Sequence, residues 1–163
     1  MVIRFTVGDR VVYPMHGAGL IESVEEQQVL GRCRDYYVLR LPVGNMKVMV
    51  PVDGVEDCGL RAVMDPATVD AVLAVLAADV PPVTSSGNWN RRFRANVDKL
   101  KTGNPCDTAE VIRDLTHRER VKGLSSGERK MLENARRMLV SEIVLAAGIG
   151  EEVAEELIDR MLA

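Results

Sequence analysis

Apolar and polar positions alternate along this chain with two different periods, and the change falls near residue 65. Before it, runs rich in β-branched and aromatic residues, "RFTVGDRVVYP", "GLIESVEEQ", "RDYYVLRL" and "MKVMVPV", read as short strands. Gly8-Asp9, His16-Gly17, Leu30-Gly31, Gly44-Asn45 and Asp53-Gly54 punctuate them as turns. Short strands in so small a segment predict a compact antiparallel barrel or a strongly bent sheet. After residue 65 the period becomes helical. Asp65-Pro66 is a cap followed by a first-turn proline, and "PATVDAVLAVLAA" repeats apolar residues at Val69, Val72, Leu73 and Leu76. "DVPPVTSSG" breaks that helix as a linker or bend. A second helix is predicted from near Asn88 to about Lys101, and a third from Asn104-Pro105 to about Val121. Ser125 and Glu128 have capping-box spacing, and the helix behind them carries Leu132, Ala135, Leu139, Ile143 and Ala146 on one face. "AAGIG" ends it, and "EEVAEELIDRML" makes a short acidic last helix. The fold class is α+β in two domains: residues 1–64 are β, and residues 65–163 form a compact all-α domain of about five helices.

Composition sharpens this in two places. Hydrophobic residues make up 47% and aromatics only 4%, so a folded chain of 163 residues must have an aliphatic core. The net charge of −3 is unevenly spread. Residues 1–80 carry 7 Lys and Arg against 11 Asp and Glu, residues 81–147 carry 13 against 8, and residues 148–163 carry 1 against 5. A basic middle between acidic flanks suits an anionic partner, and it equally suits a solvated Arg-rich helix surface. "MVIRFTVGDR" has no apolar run of signal-peptide or membrane-span length, so no membrane partner is expected. Cys33, Cys58 and Cys106 form no C-x-x-C, which argues against a disulfide framework or a zinc site and fits a reducing cytoplasm. A monomer is the default at this size.

Little in the chain has the pattern of catalytic chemistry. His16 and His117 fall in different predicted domains, a poor start for a metal site or a triad. "HGAGLIE" runs into a strand rather than a helix, so its glycines read as turn residues, not a phosphate loop. The serines lack a strand–turn–helix setting and the carboxylates are dispersed. No enzyme and no cofactor is expected.

The segment that stands out is "NWNRRFRANVDKLK". In a helix starting near Asn88, Trp89 lies in the first turn, with Arg92 and Phe93 following at the i+3 and i+4 positions. Phe93, Val97 and Leu100 then form the inner stripe, and Arg91, Arg94, Asp98 and Lys101 the outer side. Two readings of Trp89 stay open from the residues alone. It can staple the helix start onto Val80 or Val83, buried as most tryptophans are. Or it can stand exposed as an apolar wedge among phosphate-binding arginines.

Several motifs, in order and spacing, together resemble one family. "FTVGDRVVYPMHGAGLIESVE", "YYVLRLPVGNMKVMVPV", "GLRAVMD", "NWNRRFRANVDKLKTGN", "AEVIRDL" and "GLSSGERKMLENARRMLVSEI" look like the CarD/CdnL family of bacterial transcription regulators, in its stand-alone CdnL form. The resemblance covers the chain up to about residue 147. It implies that the N-terminal domain is a small Tudor-like, SH3-like antiparallel barrel that binds the RNA polymerase β subunit. Leu39, Met49 and Pro51 are the positions carried over. It implies that the helical domain contacts promoter DNA at the upstream edge of the −10 region. Trp89 matches the family's wedging tryptophan, with Arg91, Arg92 and Arg94 as its basic neighbours. The implied outcome is a stabilised open complex with the housekeeping sigma factor holoenzyme. The alternative from a different class is a protein–protein adaptor whose basic helical domain binds an acidic protein.

Overall fold

The computed structural model describes residues 5–55, 58–79 and 89–163. Strands Arg10–Tyr13 (β1), Gly17–Val29 (β2), Arg32–Leu41 (β3), Met46–Pro51 (β4) and Arg61–Ala62 (β5) form one antiparallel sheet in the order β4-β3-β2-β1-β5. Helices Pro66–Ala77 (α1), Trp89–Lys101 (α2), Pro105–Val121 (α3), Ser126–Ala147 (α4) and Glu151–Leu162 (α5) follow. The fold class is therefore the expected α+β, with a Tudor-like sheet ahead of the helices. The helix starting near Asn88 and the linker "PPVTSSG" fall partly or wholly outside the described residues.

The sheet gathers Val11, Ile21, Leu39, Leu41 and Val50 into an aliphatic core with Tyr37 at its edge. A bulge between Ile21 and Ser23 bends β2, as an extra residue on one strand does. Beyond the bulge, β2 and β3 run on as a long hairpin whose outer residues are exposed. Glycines in "HGAG" are there for close packing as well as for the turn. Gly17 ends the turn at φ 120°, and a Cβ on Gly19 would stand 2.6 Å from the Arg40 carbonyl oxygen.

Local chemistry sets the helix ends. The Asp65 side chain accepts the Thr68 amide at 2.8 Å, and Asn104 accepts the Cys106 amide at 2.9 Å. Each cap is followed by a proline that has no amide to satisfy. α4 ends on Gly148 in the left-handed conformation, at φ 66°. The helical core collects Val72, Leu76, Ile112, Leu115, Leu139, Ile143 and Ile158 from α1, α3, α4 and α5.

Sheet and helices meet along a polar seam on the C-terminal half of α4. Glu142 is 3% exposed; it takes two hydrogen bonds from the Arg61 guanidinium, at 2.7 and 2.8 Å, and one from the Met64 amide at 2.8 Å. Arg61 also donates to the Gly103 carbonyl at 2.7 Å. The Ser141 hydroxyl accepts the Ala18 amide at 2.9 Å, and Arg10 donates to the Leu145 carbonyl at 2.6 Å. The groups are mutually satisfied, which removes the cost of burying them.

Candidate functional site

α2 brings the segment that stood out in the sequence to the N-terminus of α4. Trp89 opens α2 and is 40% exposed. Its ring stacks on Phe93, four residues on, with centroids 4.8 Å apart and planes 19° from parallel. Its indole N–H is shared between the Ser125 hydroxyl at 3.0 Å and a Glu128 carboxylate oxygen at 3.1 Å. The ring is anchored, as a staple is, and it remains accessible. Its anchor is α4; Val80 and Val83 lie outside the described residues.

The anchor is a complete capping box. Ser125 accepts the Glu128 amide at 3.2 Å and donates its hydroxyl to Glu128 at 3.0 Å, while Glu128 accepts the Ser125 amide at 3.3 Å. Glu128 is 3% exposed, with the Arg118 guanidinium 3.9 Å from its other oxygen. Its charge lies at a helix N-terminus, where the helix dipole favours an anion. The spacing of Ser125 and Glu128 was legible as a cap; their second role toward Trp89 was not.

Around the ring, Arg91 and Arg94 are exposed on the outer side of α2, as expected, and with Asn90, Ala95 and Asp98 they line a shallow open groove. Arg92 is half-buried on the side between them and the helical core. The site thus combines a 40% exposed indole with cations on the same helix.

On the sheet, the three positions carried over for a protein partner separate by burial. Met49 is 42% exposed on edge strand β4. Pro51 is half-buried at the end of β4. Leu39 is fully buried in the sheet core, paired through its backbone with Val48. Its side chain supports the surface from beneath, because the inward face of β3 is committed to packing.

The remaining candidate chemistry is dispersed. Among the described residues no three His, Cys, Asp or Glu side chains come together as metal ligands. His16 stacks on Tyr13 at 4.2 Å. Glu26 beside Cys33 and burial around Cys106 push both thiols up, the opposite of what a nucleophilic thiolate needs. No described helix is long and apolar enough to cross a membrane.

A bent β sheet is joined here to a helical unit that offers an exposed aromatic ring among arginines. Comparison with known proteins places this chain among transcription factors. Residues 5–64 match the CarD-like/TRCF RID domain, and residues 71–159 match the CarD C-terminal domain. A Bacillus subtilis (strain 168) protein named "Putative transcription factor YdeB" is 38% identical over 148 residues, spanning 91% of this chain and 95% of that protein. The chain belongs to the CarD/CdnL family of transcription factors.

Proposed function

We propose that this transcription factor binds the β subunit of RNA polymerase through its sheet and promoter DNA at the upstream edge of the −10 region through α2, and so stabilises the open complex formed with the housekeeping sigma factor. The observation that carries the reading is the 40% exposure of Trp89 on the same helix as the exposed Arg91 and Arg94. The arginines hold phosphates, and the ring wedges at a base step that is already opening. Unstacking a step costs about a few kcal/mol, and less where the duplex is already melting, so the ring favours the open state by differential binding.

Few cations touch DNA, so free binding is weak, on the order of 10⁻⁴–10⁻⁶ M at physiological salt. Tethering to polymerase raises the local concentration to about millimolar, which makes such an affinity sufficient. Met49, flexible and polarisable, suits the protein contact, with Pro51 shaping the strand end and Leu39 holding the strand in place. Residues 1–64 carry 7 Lys and Arg against 8 Asp and Glu, so the sheet half lacks the basic excess that a nucleic-acid partner favours.

Two variants separate the two ends. Trp89→Ala should bind polymerase normally and shorten open-complex lifetime on a housekeeping promoter. Met49→Ala should weaken capture of the β subunit. An unchanged lifetime with Trp89→Ala would sink the wedge and favour an adaptor that binds an acidic protein.

A further inference from the structure

We infer that the α4 capping box is a positioning device for Trp89: Ser125 and Glu128 hold the indole by its N–H so that one ring face is presented outward. The inference deepens the reading that Trp89 meets DNA. Three contacts fix the ring. Phe93 covers one face. The N–H points to Ser125 and Glu128, 36 and 39 residues away in sequence. The Cζ2 edge lies over Gly127, where an added Cβ would stand 3.7 Å from it. One donor, one stack and one edge contact leave the ring a single orientation.

The receiving groups are held more firmly than the ring. Glu128 is nearly fully buried, tied to both the backbone and the side chain of Ser125, and faced by Arg118. A wedge must not fold away when it presses on a base, and a capped 22-residue helix is a stiff support. The arrangement also has a chemical consequence. The only hydrogen-bonding atom of the ring is used inside the protein, so DNA meets a π face. Stacking on such a face tolerates any base, so this contact reads opening rather than sequence.

Trp89 is the one tryptophan in the chain, so the full-length protein reports on it directly. The measurements are hydrogen exchange of the single indole N–H by NMR, fluorescence anisotropy, and open-complex lifetime on the same promoter. Ser125→Gly removes the hydroxyl at little cost to a helix N-terminus. Ser125→Gly combined with Glu128→Ala removes both acceptors. Losing a hydrogen bond to a charged acceptor should speed indole exchange about tenfold. Anisotropy should fall and the lifetime should shorten toward that of Trp89→Ala. Glu128→Gln keeps an acceptor oxygen and the capping box, and should restore all three readouts.

Unchanged exchange and anisotropy in the double variant would overturn the inference, and Ser125→Gly alone decides it should the double variant unfold. Faster exchange with a full lifetime, where Trp89→Ala shortens it, would overturn it too. A lifetime that Trp89→Ala itself leaves unchanged defeats the DNA reading instead, while exchange and anisotropy still decide how the ring is held.

Discussion

At Asp65 a single carboxylate closes the start of α1, accepting both the amide and the hydroxyl of Thr68 at 2.8 and 2.7 Å. Those bonds, the side-chain one foremost, hold its carboxyl below the usual range. A depressed folded value means that the stabilisation is complete above the unfolded carboxyl range, near about pH 4, and is lost as the pH falls through the folded value. Asn caps as well as Asp but does not titrate. Asp65→Asn should therefore match the parent in thermal stability at pH 7 and lose less than the parent between pH 5 and 2, with melting curves across that range as the check. Caps such as Asp65, Asn104 and Ser125 were legible in the sequence because donor and acceptor lie within a few residues. The anchor of Trp89 was not, because its acceptors lie a third of a domain away along the chain and no periodicity links them. Leu39 shows the converse limit: matching a motif places a residue on a strand, but burial decides which of its faces can touch a partner.

Among the elements, the β2–β3 hairpin carries an unusual tip. Val29 and Arg32 pair across a two-residue turn in which Leu30 and Gly31 have φ of 52° and 76°. Both central residues are left-handed, as a type I′ turn demands, and such turns favour Asn-Gly. Leu30 is 98% exposed and gains nothing from burial in return. Leu30→Asn should therefore stabilise the chain by about 1 kcal/mol, raising the melting temperature by roughly 2–4 °C, which calorimetry would show. The helices were readable nearly to the residue because apolar stripes, caps and prolines agreed. β5 was missed. Two residues, Arg61 and Ala62, are too short to show a period, and only their pairing with β1 makes them a strand. The glycines of "HGAG" were read as turn residues; the need at Gly19 comes from the neighbouring strand, which one sequence window does not contain.

Over the whole molecule, the seam on α4 decides how the two halves sit. No local pattern in the sequence marks Arg61, Ser141 and Glu142 as seam residues, since their partners come from the other half. Glu142→Ala would strand the buried Met64 amide and leave Arg61 without its carboxylate. Each unsatisfied buried group costs on the order of 1–3 kcal/mol, so the unfolding midpoint in denaturant should fall clearly. Glu142→Gln, which keeps acceptor capacity for Met64 but not the charge for Arg61, should fall less.

The position of that seam along α4 matters for promoter work. Ser125 receives Trp89 at one end of the helix, and Ser141 meets the sheet sixteen residues later, a rise of about 24 Å along the axis. On the proposed function the chain is a caliper with fixed jaws: one closes on polymerase, the other on the duplex. The step at which the second jaw lands is then counted off from the enzyme by the length of a helix, so a protein that reads no bases can still strike the same place on every promoter.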